Sequence, residues 1–251
     1  MFDYKDQVAI ITGAAQGIGG RCADVMSKAG AKIVIADFNL ENAEKKARSL
    51  IDAGGEAIAV KVDVSDTDMV NAAVQATLDK WGRVDMMINC AGILLDADVT
   101  VMTDDQWDTM LRIHAGGVFR FCRAVLPAMQ KQNYGRIVNI SSLSARQTVV
   151  RAGANYCAAK GAIVTFSRQL AQQMHNQGFD INVNCVSPGT TKTPMIAMRP
   201  PEVLAAMTKL FPLGRLGEVD DIIYAILFMT SPWADSITGE TIDINGGKYM
   251  M

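Results

Sequence analysis

The pair most suited to chemistry is Tyr156 and Lys160, in the run Tyr156-Cys157-Ala158-Ala159-Lys160. The residues that follow, Gly161 to Phe166, contain no breaker after Gly161 and predict a helix. On a helix, positions i and i+4 share a face, so phenol and ammonium stand side by side. A fixed ammonium favours the phenolate and lowers the tyrosine pKa from about 10. The pair therefore predicts a proton donor and acceptor usable near neutrality. Alone, a Tyr-x-x-x-Lys is a weak signal; its meaning depends on the rest of the chain.

A second chemical feature lies near the N-terminus. The apolar run Val8-Ala9-Ile10-Ile11 leads into Thr12-Gly13-Ala14-Ala15-Gln16-Gly17-Ile18-Gly19, and a helical pattern follows from Ile18 to Ala29. Strand, glycine-rich turn and helix in this order form a phosphate cradle, with the helix N-terminus facing the anion. The next apolar run, Lys32 to Ala36, ends at Asp37, about 20 residues beyond the glycines. That carboxylate is placed to accept hydrogen bonds from ribose hydroxyls and to repel a 2′-phosphate, which favours NAD over NADP. No Arg or Lys stands in the glycine loop or directly after Asp37.

These features need elements to hold them, and the chain alternates strand and helix throughout. After a charged helix from Leu40 to about Ala53, a strand spans Ala57–Val62 and is closed by Asp63. Ser65-x-x-Asp68 predicts the cap of a helix ending near Trp81-Gly82. Met86-Met87-Ile88 is a fourth strand, leading into Asn89-Cys90-Ala91-Gly92. Thr103-x-x-Gln106 predicts the cap of a long helix reaching about Met129. Strands at Ile137–Ile140 and Ile181–Val186 flank the Tyr156 helix. The pattern predicts an α/β fold, a doubly wound parallel sheet with right-handed crossovers and ligands beyond the carboxyl ends of its strands.

Composition bounds the partners. The 251 residues are 49% hydrophobic and 20% charged, which suits one globular domain over 1–251. A net charge of -2 leaves no basic footprint for nucleic acid or an anionic membrane. The longest apolar run, Ile222–Met229, is too short to span a bilayer, and residues 1–6 carry charges rather than a signal peptide's apolar core. Five widely spaced cysteines without a Cys-x-x-Cys argue against a disulfide framework or a metal site and for a reducing cytoplasm.

In order and spacing, Thr12-Gly-x-x-x-Gly-x-Gly19, Asp37, Asp63-Val64, Asn89-x-Ala-Gly92, Ser142, Tyr156-x-x-x-Lys160, Pro188-Gly189 and Thr193 resemble the short-chain dehydrogenase/reductase family over nearly the whole chain. Residues 237–239 and 243–247 resemble that family's last strand and its turn. The resemblance implies a Rossmann-like domain with a seven-stranded parallel sheet, assembled as a homotetramer, acting with NAD on a small alcohol or ketone. It implies that Tyr156 is the acid/base, that Lys160 lowers its pKa and holds the nicotinamide ribose, and that Ser142 orients the substrate oxygen. It places Gly13, Gln16, Gly17, Ile18 and Gly19 at the cofactor phosphates, and Asp37, Phe38, Asp63 and Val64 along its adenosine half. Asn89, Ala91, Gly92, Pro188, Gly189, Thr191 and Thr193 are implied along the remainder, Thr193 at the carboxamide.

Three departures stand out. Cys90 replaces the family's second asparagine, a change expected to be tolerated. The serine usually lies about 13 residues before the tyrosine, whereas Ser142 lies 14 before and Ser144 lies 12 before, so both remain candidates. His114 replaces an asparagine that completes a catalytic tetrad. Its spacing with Met110, Gly117 and Phe121 faces it to the sheet, and a neutral imidazole near Lys160 is expected to keep the tetrad's water hydrogen-bonded.

For the substrate, Leu94, Leu95, Met195, Ile196 and Met198 predict an apolar pocket, and Arg146, Arg151 and Arg199 offer guanidinium groups for a carboxylate or phosphate. Solvated surface arginines are the plainer alternative. Two other readings compete: a 3-oxoacyl thioester reductase, and a non-catalytic dinucleotide-binding protein. Against the first, carrier-protein reductases of the family tend to use NADP and to carry basic docking residues where this chain has Asn133 and Gln177.

Overall fold

The computed structural model describes residues 2–147, 152–197 and 199–250. Among these residues seven strands form the sheet, and the five inner ones are buried along nearly their whole length, the condition for the interior of a parallel sheet. In β1 (Val8–Thr12), for example, every residue is buried. The others are β2 (Lys32–Asp37), β3 (Ala57–Lys61), β4 (Met86–Asn89), β5 (Gly135–Ile140), β6 (Ile181–Pro188) and β7 (Thr241–Ile244). All pair in parallel, in the order β3-β2-β1-β4-β5-β6-β7. The strand order reverses between β1 and β4, and a crevice opens at such a switch point.

Helices cover both faces. On one side α1 (Gly17–Lys28), α2 (Leu40–Asp52) and α8 (Val219–Thr230) bury Cys22, Met26, Leu50 and Ile226 against Ile11, Ile33 and Ile35. On the other, α3 (Thr67–Trp81), α4 (Asp104–Gln132) and α5 (Ala154–Asn176) bury Val70, Phe121 and Ile163 against Ile10, Val34 and Met87. Each fully buried isoleucine contributes roughly 1.5–3 kcal/mol of transfer free energy. Two short helices, α6 (Pro194–Ala197) and α7 (Pro201–Thr208), lie beyond β6. No helix among the described residues is long and apolar enough to cross a membrane.

The expected capping box of α4 is present: Gln106 N–H donates to Thr103 Oγ1 at 3.2 Å, and Thr103 N–H donates to Gln106 Oε1 at 2.9 Å. The cap of α3 differs from expectation. Asp66, not Ser65, accepts the N–H groups of Asp68 and Met69. Its carboxylate also complements the positive helix end, which a serine does not.

Register aligns the strand ends. Thr12 stands opposite both Ala36 and Asn89, and Asn89 stands opposite Asn139. The loops after β1, β2, β4, β5 and β6 therefore emerge along one edge of the sheet.

Candidate active site

A cavity of about 660 Å³ runs along that edge. It reaches from the glycine loop, past Asp37, Phe38, Asp63 and Val64, to Ala91 and Gly92, and on to Ser142, Tyr156 and Lys160. Pro188, Gly189, Thr191 and Thr193 form its far wall.

The glycine loop is shaped by close backbone approach. A Cβ on Gly19 would lie 2.5 Å from the Gly13 carbonyl oxygen, so only glycine fits there. Gln16 precedes α1 with extended backbone and no side-chain cap, leaving the helix's first N–H groups facing the cavity. Asp37 holds this loop as well as bordering it. Its Oδ2 accepts the Ala15 N–H at 3.0 Å, and its Oδ1 accepts the Asn39 N–H at 3.0 Å. The basic residues Arg21 of α1 and Lys46 of α2 are paired with Asp220 and Asp24. Phe38 beside it is 69% exposed, a flat apolar face at the cavity rim. Asp63 accepts the Ser65 N–H at 2.8 Å through Oδ1.

Asn89 does not line the cavity, contrary to its expected place at the cofactor. It is buried, and its amide donates to Asn139 Oδ1 at 2.8 Å, while Asn139 donates to Ser167 Oγ at 2.8 Å. The strand's alternation turns this side chain to the α4–α5 face, where it stitches β4 to β5. The loop after it is held instead by Thr12, whose Oγ1 accepts the N–H groups of Cys90 and Ala91 at 3.0 and 3.1 Å. Cys90 thus serves through its backbone, and burial pushes its thiol up to about 12, so it stays neutral.

Around Tyr156 three groups converge. Ser142 adjoins the phenol and opposes the rise of its pKa, and Ser142 Oγ accepts the Ser144 N–H at 3.1 Å. Both serines line the cavity, and of the two it is Ser142 that acts on the tyrosine's pKa. Lys160 is buried, its Nζ donating to the Ile140 carbonyl at 2.8 Å and lying 5.7 Å from the centre of the Tyr156 ring. His114 packs edge-on against that ring at 5.5 Å.

The electrostatics depart from the expectation built on helical spacing. Burial raises the Tyr156 pKa above its ordinary value, with Ser142 pulling the other way and Asp96 and Cys157 adding to the rise. Burial also pushes Lys160 down to about 8. The ammonium sits beyond the ring and is spent on a carbonyl, so desolvation wins over charge pairing at both groups.

His114 behaves as the helix pattern predicts. It is 2% exposed and faces the core with Met110, Gly117 and Phe121. Burial first, and Lys160 second, lower its pKa to about 3, so the ring is neutral. Nε2 lies 2.9 Å from the Ile93 carbonyl and 3.2 Å from the Ile93 N–H, whereas Nδ1 is buried without a partner. One nitrogen is therefore committed to the loop after β4, and only Nδ1 is left for a water. Gly92 accommodates the ring: a Cβ there would lie 2.5 Å from its Cε1.

The expected substrate residues divide. Leu94, Ile196 and Arg199 line the cavity, while Leu95 and Arg146 do not. Arg146 pairs with Asp243 at 3.4 Å, away from Tyr156's side of the cavity. Arg151, Met198 and the side chain of Met195 lie outside the described residues. Sequence reasoning missed Asp96, which lines the cavity and pairs with Arg199 at 3.8 Å. Its one available signal was an acid four residues beyond Gly92 in an otherwise apolar stretch.

The comparisons accord with this geometry. Residues 13–248 match a family profile described as enoyl-(acyl carrier protein) reductase. The short-chain reductase protein NovJ of Streptomyces niveus is 34% identical, covering 97% of this chain and 94% of that protein. The 3-oxoacyl-[acyl-carrier-protein] reductase FabG of Salmonella typhimurium is 35% identical, covering 99% of each. A crystal structure of a 3-oxoacyl-[acyl-carrier protein] reductase with bound NAD from Brucella melitensis superposes with a TM-score of 0.92 at 33% identity, covering 99% of this chain and 93% of that one. The profile's description names reduction of a C=C bond and the FabG name reduction of a C=O bond. A phenol beside a serine hydroxyl suits the handling of an oxygen. The chain belongs to the short-chain dehydrogenase/reductase family and is an oxidoreductase acting on CH–OH or carbonyl groups.

Proposed function

We propose that the chain interconverts a secondary alcohol and a ketone, with Tyr156 as acid/base and with NAD preferred to NADP. The observation that carries this is the placement of Ser142, Tyr156 and Lys160 in one cavity with the glycine loop and Asp37. The residues fit a dinucleotide: backbone N–H groups and the α1 terminus suit its phosphates, and Asp37 suits the ribose hydroxyls. Asn89 is left out of that set. When bound, the nicotinamide supplies or takes the hydride.

The chain's own residues move the proton. In reduction, the neutral phenol of Tyr156 gives its proton to the carbonyl oxygen as that oxygen gains charge, and Ser142 holds the oxygen in place. In oxidation, the Tyr156 phenolate takes the hydroxyl proton. Lys160, fixed at the Ile140 carbonyl, keeps positive charge near the phenolate as it forms. His114 holds the loop after β4 through Ile93 and offers Nδ1 to a water. Leu94, Leu143 and Ile196 make the substrate end largely apolar.

A 3-oxoacyl thioester as substrate is the second reading, favoured by the FabG relatives. Asn133 and Gln177 count against a carrier-protein partner because both are neutral; Asn133 accepts the Asp180 N–H, and Gln177 accepts from Gln130. Homotetramer assembly, a cytoplasmic setting and a single functional unit over 1–251 belong to the same proposal. The test is consumption of NADH and NADPH with alicyclic ketones, keto acids, 3-oxo esters and acetoacetyl-CoA. Turnover faster with NADH and with a free ketone supports the first reading. Turnover confined to the thioester supports the second, and none with any carbonyl overturns both.

A further inference from the structure

Asp96 stands outside the proton-handling group yet touches both walls of the substrate end. It lies on the loop between β4 and α4, and its side chain is 26% exposed. Oδ1 accepts the N–H of Gly153 at 3.1 Å, and Gly153 is the N-cap of α5, the helix that begins two residues before Tyr156. Gly153 has no side chain to cap the helix, so an acceptor from another segment serves that end. Oδ2 lies 3.8 Å from Nη2 of Arg199, between α6 and α7. At that length the contact is ionic rather than a hydrogen bond.

Neighbouring bonds show that both walls are held. Asn155 donates to the Leu95 and Gln106 carbonyls at 3.0 and 3.2 Å, and its Oδ1 accepts the Tyr156 N–H at 2.8 Å. The Arg199 wall is clasped at its base, where Lys192 N–H donates to Gly217 O at 2.9 Å and Gly217 N–H to Thr190 O at 3.0 Å. Beyond that clasp, α7 buries no residue. Asp96–Arg199 thus ties a lightly packed wall across the cavity to the start of the Tyr156 helix.

We propose that Asp96 is a positioning residue that couples the Arg199 wall of the substrate cavity to Tyr156. The inference rests on the carbonyl–alcohol chemistry proposed for Tyr156. Five groups face or adjoin the phenol: Asp96 from the β4–α4 loop, His114 from α4, Ser142 from the turn after β5, and Lys160 and Cys157 from α5 itself. Arg199 reaches it only through Asp96. The carboxylate raises the phenol's pKa, and the guanidinium 3.8 Å from it sets positive charge beside that carboxylate.

The two partners therefore predict opposite pH shifts. Asp96→Asn keeps an acceptor for Gly153 but removes the charge, so the rise of kcat/KM with pH in NAD oxidation of ethyl 3-hydroxybutyrate moves to lower pH. Arg199→Met leaves Asp96 unscreened, so the same rise moves to higher pH and KM increases about fivefold, as for one lost contact. Asp96→Ala removes both ties, and amide hydrogen exchange over residues 153–157 speeds by about fivefold while Asp96→Asn stays near the parent. Shifts of the same sign, or none, overturn the coupling, as does unchanged exchange in Asp96→Ala. The exchange arm needs no turnover. If the unmodified chain oxidises neither this ester nor any other alcohol, the function proposal fails while exchange still decides the positioning role.

Discussion

At the amino-terminal end of the sheet, each buried charge is paired with opposite charge at the surface. Asp85, fully buried, accepts the Val8 N–H at 2.8 Å and two bonds from Arg83 at 2.8 and 2.7 Å. Arg136, 2% exposed, donates to Asp180 and Asp235, each at 2.8 Å, and stacks over Tyr134. At the carboxyl-terminal end, the polar groups are left underbonded. Lys160 has the Ile140 carbonyl, His114 Nδ1 has no partner, and burial moves the pKa of Tyr156 up and of Lys160 and His114 down. The same strands that anchor one end thus hold, at the other, groups whose proton affinities burial has shifted, as proton-transfer sites require.

The strongest way to break this contrast is Lys160→Met. We expect kcat to fall by roughly a hundredfold or more. Stability should rise instead. Lys160 binds its proton less tightly folded, about 8 against 10.5, so its cost is full below pH 8 and fades as pH rises towards 10.5. The variant should gain roughly 2–4 kcal/mol at pH 7, less the lost bond to Ile140, and little near pH 10.5. Denaturant unfolding at pH 7 and pH 10 measures this; a variant less stable at both would contradict the contrast. At the other end, Asp85→Ala should lose about 1–3 kcal/mol because it strands the buried Val8 N–H, while the half-exposed Arg83 guanidinium turns to water. Its folded fraction should keep the parent's KM, and a large change in KM would mean that the two ends are not separate.

Smaller effects sharpen the division within the site. Asp37 predicts at least about a tenfold preference for NAD over NADP, from lost hydrogen bonds and charge repulsion. Asp37→Ala should reduce that ratio and also loosen the glycine loop at Ala15, raising KM for both cofactors. Equal efficiency with both in the unmodified protein would refute it. His114→Ala should lower kcat by about tenfold, and His114→Asn should retain most of it. His114 takes up its proton at about 3 folded against 6.5 unfolded, so the stability it supports is present above pH 6.5 and is lost as pH falls towards 3. His114→Asn should therefore flatten the acid side of the stability profile.

Much of this was legible in the chain. Buried parallel strands write themselves as short, largely apolar runs, and Asp37, Ser142 and Pro188 each mark where such a run stops at the cavity. The misreadings have local causes. Asn89 sits at a strand end, and only register shows that its amide meets Asn139. Helical spacing placed Lys160 beside Tyr156 but carries no information on burial, which reverses the predicted pKa shift. Ser65 and Asp66 are adjacent cap candidates, and backbone geometry chooses between them. Asp96 has no spacing signal because its partners, Gly153 and Arg199, are 57 and 103 residues away.

The central claim is that Tyr156 transfers the proton while the neighbouring residues hold it ready. Its most direct test is NADH oxidation at pH 7, followed at 340 nm with a ketone that the unmodified chain reduces, in the parent and in Tyr156→Phe. The variant loses one hydroxyl, so it should still fold and still bind NADH, as read by nicotinamide fluorescence. We predict that its ketone-dependent rate falls by about 10²–10⁴-fold with NADH affinity kept. A Tyr156→Phe protein that reduces the ketone at the parent's rate would contradict the account.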